Sequence, residues 1–328
     1  MHHIHSKTFR DFLCLINQTR FLSNSVKTFS KNRQSTHDKG NSPASRLKKD
    51  KGPSIPLPDI TGEVLWGIHP VQAALSVGKR HVYTAFFKKG VDNARINLLR
   101  TICENKKVSM YEMTGNTLDV LVGHHPHQGV CLDVSTLHVE TISADDISSD
   151  RLYKANGEPE VWMLPYKVKD TMNMGAVLRS SHYFGVSRVL VPASSSSAMN
   201  AVVSKASAGA MEIMDIKTVR NETSLVQCLE KWKTIGGLVV GTTGNINHEK
   251  VVPLNQFYKD RPLLLIIGNE AEGIGEKLTN ICDLLLSVQT YQNVQHVGEW
   301  FYQLDSLNVS VATGVLLHSI MNNQRGTG

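Results

Sequence analysis

Beyond about position 160, hydrophobic residues concentrate in short continuous runs that alternate with longer stretches of helical spacing. The runs lie at 161–164, 189–191, 237–242 and 263–267, and the helical stretches lie near 174–184, 200–209 and 223–235. A short continuous apolar run is typical of a strand that is buried on both faces. Strands that alternate with helices predict an α/β fold with a parallel sheet and helices on both of its faces.

A smaller α/β unit is predicted upstream of this pattern. Its strands are expected at 64–68, 82–87, 108–110 and 130–134, and its helices at 70–77 and 94–105. The first helix opens with Pro70, a residue favoured in the first helical turn. A polar, acidic stretch follows the unit. We therefore predict a small domain over 59–140, a linker over 141–158 and a second domain over 159–324.

The last hydrophobic pattern of the chain predicts a buried helix. Ser306 and Asn308 stand just ahead of it, and its apolar residues at helical spacing are Val311, Ala312, Val315, Leu316 and Ile320. Serine and asparagine are favoured helix N-caps. By itself, the pattern is fully explained by a capped core helix.

Two further polar segments bear glycine and follow predicted strands. One runs from Asn173 to Arg179, and the other from Gly268 through Glu270 to Gly273. In open α/β sheets, ligands bind in the crevice at the carboxyl ends of the strands. The guanidinium of Arg179 suits phosphate or carboxylate recognition. The structural alternatives are an N-capping Asn173 with a solvent-facing Arg179, and a simple tight turn at the glycines.

Known nucleotide fingerprints are absent from both segments. No Gly-Lys-Ser/Thr follows Gly268, so the second segment is not a Walker A loop, and Gly175 does not belong to a G-x-G-x-x-G sequence. A nicotinamide-dependent enzyme on the same layered architecture is therefore disfavoured.

Charge is distributed unevenly along the 328 residues. The net charge is +6, but residues 1–50 alone carry a surplus of +7, which leaves −1 for the rest. The N-terminal stretch is rich in Arg, Lys, Ser and Phe and poor in acids, as mitochondrial transit peptides are. A disordered basic tail would have the same composition. We predict a leader and solvated linker over 1–58 and a mitochondrial matrix location, and any RNA-binding surface must be a local patch.

Cysteine and histidine spacing indicates neither a disulfide framework nor a metal site. The five cysteines are scattered, without a C-x-x-C pair, and are interpreted as free thiols in a reducing compartment. We therefore predict no metal. No apolar run approaches the roughly 20 residues needed to cross a bilayer, so no membrane association is predicted.

Taken together and in order, three motifs resemble those of the SpoU-type RNA ribose 2′-O-methyltransferases of the SPOUT superfamily. They are Asn173-x-Gly-Ala-x-x-Arg179, Gly268-x-Glu270-x-x-Gly273 and Ser306-Leu307-Asn308-Val-Ser-Val. The resemblance covers about 160–322. The preceding Gly67-Ile68-His69-x-Val71 and His127-Gln128-Gly129-Val130 resemble the small RNA-binding domain that bacterial rRNA guanosine methyltransferases of this family carry.

The resemblance implies a C-terminal trefoil knot that binds S-adenosylmethionine, and a homodimer. The implied catalytic group consists of Asn173, Arg179, Glu270, Ser306 and Asn308. The implied cofactor pocket is lined by Thr242, Gly268, Gly273, Val288 and Leu307.

The implied reaction is 2′-O-methylation of a guanosine ribose in mitochondrial large-subunit rRNA. Methyl transfer is an in-line displacement, in which alignment alone can lower the barrier by on the order of 7–11 kcal/mol. Because a guanidinium is a poor base, Arg179 is expected to position the hydroxyl and stabilise the developing alkoxide. A tRNA methyltransferase and a non-catalytic RNA-binding or ribosome-assembly factor on the same fold remain alternatives.

One segment departs from the family pattern. Where the family has a short loop rich in Ile and Pro, this chain has a long stretch over 289–305 that includes Trp300, Phe301 and Tyr302. It lies directly beside Val288. A surface excursion and a damaged cofactor pocket are the two interpretations that the sequence leaves open.

Overall fold

Two β-sheets organise the part of the chain that the structure describes. The structure is a computed structural model and describes residues 57–194, 196–269, 272–289 and 306–323. All of these residues belong to one compact unit. The predicted leader, up to residue 56, lies outside them.

The N-terminal sheet has four strands in the order β1-β4-β2-β3. They are β1 (Glu63–Trp66), β2 (Val82–Lys88), β3 (Ser109–Met113) and β4 (Val130–Val134). β4 runs antiparallel to both of its neighbours, whereas β2 and β3 are parallel. The helices of this part are α1 (Ile68–Val77), α2 (Ala94–Asn105) and α3 (Gly115–Leu121), of which α3 was not predicted.

The C-terminal sheet has seven strands, all parallel, in the order β7-β6-β5-β10-β8-β11-β9. They are β5 (Val161–Pro165), β6 (Arg188–Pro192), β7 (Asp215–Val219), β8 (Leu238–Thr242), β9 (Val251–Pro253), β10 (Leu263–Ile267) and β11 (Leu284–Ser287). The helices are α4 (Thr171–Tyr183), α5 (Ala201–Ala206), α6 (Ala210–Ile213), α7 (Glu222–Thr234), α8 (Gly275–Ile281) and α9 (Val309–Asn322). The predicted α/β class with a parallel sheet is confirmed.

Both faces of this sheet are buried, as the continuous apolar runs predicted. On β5, Val161 and Met163 pack into one hydrophobic cluster with α4 and α9, whereas Trp162 and Leu164 pack into a second with α7 and α8. Successive side chains of a strand point to opposite faces, so a strand covered on both sides needs apolar residues throughout.

Three strands of the C-terminal sheet escaped the prediction. β7 and β9 are the two edge strands, and only two of the five residues of β7 are buried. β11 was also missed. The helix predicted over 200–209 is wrong in its extent, because Gly209, at φ +86°, separates α5 from α6.

The caps of two helices revise the sequence interpretation. The side chain of Asp170 caps α4 by accepting from Asn173 N at 2.7 Å, so Asn173 is not the N-cap. At α9 the N-cap is Asn308, whose side chain accepts from Ser310 N at 3.0 Å, while Ser306 lies outside the helix and is exposed.

The stretch predicted as a linker is packed against the second sheet. Ile142, Ile147 and Leu152 are buried in the same cluster as α7, and Ile142 N donates to Thr218 O at 2.9 Å. The domain boundaries at 140 and 159 stay a prediction. In the described residues, no helix has the length and apolar character needed to cross a membrane.

Candidate active site

At the carboxyl edge of the C-terminal sheet, the second predicted segment contacts the turn that leads from β5 into the first. β5 and β10 are parallel neighbours, so the turn after β5 and the loop after β10 leave the sheet side by side. Lys167 Nζ binds Glu272 Oε2 at 2.6 Å, and Asn269 Nδ2 donates to Lys167 O at 3.4 Å. This ion pair raises the pKa of Lys167 and lowers that of Glu272.

The loop after β10 folds back on itself so tightly that Gly268 has no room for a side chain. A Cβ at Gly268 would lie 2.1 Å from Gly273 C and 2.6 Å from Ile274 N. Gly273 N donates to Asn269 O at 3.0 Å and closes the turn. Gly273 itself has φ +60°, a left-handed conformation that favours glycine. The glycine spacing is therefore required by the turn, and backbone groups line it.

The first and third segments are joined by a hydrogen bond between two predicted catalytic residues. Asn308 Nδ2 donates to Asn173 Oδ1 at 3.0 Å, and α9 packs along α4. The Oδ1 atom of Asn308 meanwhile accepts from Ser310 N and Ser310 Oγ. One amide thus caps α9 and ties it to α4.

Arg179 lies on α4 beyond Asn173 and is exposed. Among the described residues, it has no hydrogen bond or ion pair, in contrast to the paired Arg80, Arg100 and Arg188. Its solvent-facing position agrees with the structural alternative raised from the sequence. It also leaves all donors of the guanidinium available to a ligand.

Three of the predicted cofactor residues lie at the ends of neighbouring strands. Thr242 ends β8, and its Oγ1 donates to Ile266 O of β10 at 3.2 Å. Val288 directly follows β11 and is half-buried against the cluster that includes α9. Leu307 is exposed just ahead of α9. The structure therefore places Thr242, Gly268 and Val288 along one edge of adjacent strands.

A cleft of about 470 Å³ opens beside Val288. It is lined by Leu254, Asn255, Val288, Gln289, Gly314, Val315, His318 and Ser319. Of the predicted cofactor residues, Val288 lines this cleft. Another cleft, of about 250 Å³, lies between the N-terminal and the C-terminal parts of the chain, and its lining includes Lys79, Glu140 and Lys217.

Some of the predicted site lies outside the described residues. Glu270 is not described, and neither is the segment 290–305, which contains most of the departure from the family pattern. The path of the chain between Gln289 and Ser306, on which the predicted knot depends, falls there too. In the described part, no group of three or more His, Cys, Asp or Glu is arranged to hold a metal ion.

Sequence reasoning missed Lys167, Asp170 and Asn269, which build the edge. Asp170 carried a usable signal, because an aspartate directly before the first residue of a helix is a favoured N-cap. Lys167 carried none, since its role rests on a left-handed φ of +58° and on a partner 105 positions away.

The fold and the candidate site together define a class of protein. It is an α/β protein in which polar, glycine-bearing segments lie at the carboxyl edge of a parallel sheet, and a smaller mixed sheet precedes that sheet in the chain. The model of the SpoU rRNA methylase family matches residues 161–318, and that of the RNA 2′-O ribose methyltransferase substrate-binding domain matches residues 64–139. The chain belongs to the SpoU methyltransferase family.

Similar proteins agree with that assignment. The chain is 32% identical over 280 residues to human mitochondrial rRNA methyltransferase 1, covering 82% of this chain and 75% of the relative. It is 30% identical over 262 residues to the 23S rRNA (guanosine-2′-O-)-methyltransferase RlmB of Pseudomonas aeruginosa, covering 80% and 97%. In fold it is similar to the SpoU methyltransferase AviRb of Streptomyces viridochromogenes, solved with AdoMet, at a TM-score of 0.59 and 19% identity over 79% of this chain and 88% of that one.

Proposed function

We propose that this protein transfers a methyl group from S-adenosylmethionine to the ribose 2′-hydroxyl of a guanosine in mitochondrial large-subunit rRNA. The family, and relatives that are named as rRNA methyltransferases, support this reaction. The observation that carries it is the hydrogen bond from Asn308 to Asn173, which joins the first and third motifs beside the edge that bears the second.

The residues at this edge fit S-adenosylmethionine. The turn at Gly268 exposes backbone rather than side chains, and the cofactor would be held by that turn together with Thr242, Gly273, Val288 and Leu307. When bound, the cofactor supplies an electrophilic methyl group on a sulfonium. Backbone groups suit this ligand because its amino-acid and adenine parts are recognised by hydrogen bonding rather than by charge alone.

Arg179 is proposed as the catalytic residue that contacts the ribose hydroxyl and its neighbouring phosphate. Its unpaired, exposed guanidinium in the described structure can make bidentate contacts to phosphate oxygens. A fixed positive charge there stabilises the alkoxide that develops as the hydroxyl attacks. Asn173 and Asn308 would keep α4 and the start of α9 in register, with Ser306 and Glu270 completing the group.

The test is methylation of rRNA fragments by purified Arg179→Ala protein. We expect methyl transfer to fall on the order of 10²- to 10³-fold, because the charge that stabilises the alkoxide is gone. S-adenosylmethionine binding by calorimetry should stay unchanged. Arg261→Ala is the matched control, since Arg261 is also exposed but lies ahead of β10, at the opposite edge of the sheet.

Undiminished methylation by Arg179→Ala would remove that residue from the mechanism. A wild-type protein that does not bind S-adenosylmethionine would instead favour the non-catalytic RNA-binding factor. Mapping of ribose methylation in mitochondrial RNA from cells that lack the protein separates an rRNA guanosine from a tRNA target.

A homodimer is proposed from an apolar surface that α4 and α9 leave exposed. Val311 and Val315 form a stripe on the outer side of α9, 51% and 39% exposed, and Tyr183 at the end of α4 is 82% exposed. Side chains of this kind on adjacent helices are typical of a protein interface. The opposite face of α9 is already buried in the core, so this stripe is the side of the helix that remains for a second copy of the chain.

The dimer is tested with Val311→Glu in sedimentation equilibrium. We expect this variant to be a monomer, because a carboxylate on the stripe would be desolvated at the interface. Gln227→Glu, at an exposed position on α7, is the control and should sediment like the wild type. A monomeric wild type would contradict the proposal.

The proposal also covers the cellular location of the protein, its C-terminal knot and its domain boundaries. Relatives named as mitochondrial support import into mitochondria, and we propose the matrix as the compartment and residues 1–58 as leader and linker. We also propose a trefoil knot in the C-terminal part of the chain. The two family matches support a substrate-binding domain over 59–140 and a methyltransferase domain over 159–324.

A further inference from the structure

A buried ion pair joins the N-terminal lobe (residues 57–135) to the C-terminal lobe (residues 136–323). Arg80 precedes β2, and its side chain is fully buried. Its Nε donates to Glu212 Oε2 at 2.7 Å and its Nη2 to Glu212 Oε1 at 3.0 Å. Glu212 lies in α6 and is 1% exposed. The contact is thus a bidentate pair removed from water, the geometry for which arginine is best suited.

Further hydrogen bonds close the network on both sides. Arg80 also binds Glu63 of β1, and its Nη1 donates to Ser135 O at 3.0 Å. Ser204 Oγ of α5 donates to Glu212 Oε1 at 2.7 Å. Glu63 Oε2 accepts from the backbone N of Ala201, at the start of α5, at 3.2 Å. Each carboxylate therefore binds groups from both lobes, and the buried charges are compensated.

Close packing between the two lobes adds to the contacts made by the Arg80 network. A Cβ on Gly209 would lie 2.9 Å from both Ala73 Cβ and His69 O of α1, so the lobes touch through backbone at this point. Lys79 Nζ donates to Met214 O at 2.6 Å. At the exposed end of the interface, Lys205 Nζ donates to Gln128 Oε1 at 2.9 Å.

The network is connected to the helix that bears Arg179. Ser204 lies on α5, and α5 packs on α4 where Gly175 faces Ala206. A Cβ on Gly175 would lie 2.3 Å from Ala206 Cβ, which shows how little room there is for the two helices to slide. A change in lobe orientation would therefore move bound RNA relative to α4.

We propose that the Arg80–Glu212–Glu63 network locks the two lobes in one orientation, and that Arg80 is a positioning residue which presents RNA held by the N-terminal lobe to Arg179. The catalytic part of this inference rests on the proposed function. A buried ion pair adds little net stability compared with apolar packing, but its directional hydrogen bonds accept only one arrangement of the groups.

The orientation is tested by pulsed EPR distances on the full chain. Labels are placed on Leu98→Cys in α2 and Ile246→Cys in the C-terminal lobe, which are exposed positions, in a Cys14→Ser background. The native Cys103, Cys131, Cys228 and Cys282 are buried, and their thiols, with pKa values raised to about 11 or 12 by desolvation, stay unlabelled at neutral pH. Arg80→Lys keeps the charge but cannot reach both carboxylates with a planar fork.

We expect a narrow distance distribution in the unsubstituted background and a broad or shifted one in Arg80→Lys. Arg188→Lys is the matched control, because Arg188 pairs with Asp215 inside the C-terminal sheet and does not bridge the lobes. Its distribution should stay narrow. If Arg80→Lys does not fold, Glu212→Gln replaces it, since the amide keeps an acceptor for Ser204 but loses the charge.

Kinetics provide the second readout. For Arg80→Lys, kcat/KM with a long rRNA fragment should fall about 10- to 100-fold through misalignment, while the Kd for S-adenosylmethionine stays that of the wild type. Unchanged distances in the Arg80 variant overturn the proposal, and so does an unchanged kcat/KM beside broadened distances. A wild type without methyltransferase activity would defeat the proposed function, whereas the distance measurement would still decide the orientation.

Discussion

At the scale of single residues, Asn308 shows why an amide stands at the start of α9. Its Oδ1 accepts from Ser310 and caps the helix, while its Nδ2 donates to Asn173 Oδ1. Among the favoured N-caps, asparagine carries its acceptor and its donor on two different atoms, so Oδ1 can cap the helix while Nδ2 donates elsewhere. Stability and alignment of the site can therefore be separated at this residue.

Asn308→Asp should keep most of the stability and lose alignment, whereas Asn308→Ala should lose both. The aspartate still caps α9 but directs an oxygen at Asn173 Oδ1, and the alanine should lower the free energy of unfolding by about 1 kcal/mol. Urea unfolding and methylation assays measure the two effects. Ser306→Ala, which removes no cap, should change stability by less than about 0.5 kcal/mol. Full activity of Asn308→Asp would show that the link to Asn173 is dispensable.

At the scale of elements, the contact between α4 and α5 depends on the absence of a side chain. Gly175 faces Ala206 and Ser207 N of α5, so the two helices approach as closely as their backbones permit. The sequence indicated that Gly175 would let a backbone or a ligand come close, and the structure shows that it is a backbone. Helix spacing here sets where Arg179 stands.

Gly175→Ala should destabilise the protein by about 1–3 kcal/mol, because the added methyl group overlaps α5 and forces the helices apart. Gly314→Ala on α9 is the matched substitution. Nothing lies within 4 Å of a Cβ at that position, and replacing a helical glycine by alanine should stabilise by about 0.5–1 kcal/mol. Thermal unfolding distinguishes the two signs, and equal effects would mean that the helix contact is not tight.

At the scale of the whole molecule, the four described cysteines report on the integrity of the core. All four are free and buried. Desolvation raises the pKa of Cys103 and Cys228 to about 11 and that of Cys131 and Cys282 to about 12. Cys103 and Cys131 lie in the N-terminal core, and Cys228 and Cys282 lie in the core beside α7 and α8. The reactivity of these thiols therefore reports on the folding of both lobes.

Stability should decline in alkali. The unfolded chain loses its thiol protons near pH 9, whereas the folded chain holds them up to about pH 11 to 12, so the free energy of unfolding falls as pH rises through this window. Below pH 9 the contribution is complete. Urea unfolding at pH 7 and pH 10 measures it. Reaction with a thiol reagent at pH 8 should reach these four residues in urea and spare them in the native protein, and rapid native labelling would contradict their burial.

Elements with strong local signals could be predicted from the sequence alone. β10 was predicted at its observed limits, β5 differed by one residue, and the helix after Ser306 was found, because period and apolar content depend on neighbours in the chain. Its predicted burial was wrong for Val311 and Val315, which are exposed. The edge strands β7 and β9 were missed, since half-exposed strands lose that signal. The family motifs, too, were legible from the sequence alone.

Which polar residues lie next to one another depends on the tertiary fold. Asn173 meets Asn308 across 135 positions, Lys167 meets Glu272 across 105, and Arg80 meets Glu212 across 132. Such pairs follow from strand order and helix packing, which local patterns do not encode. The sequence therefore specified the segments of the site, and the pairing of β5 with β10 and the packing of α9 on α4 brought those segments together.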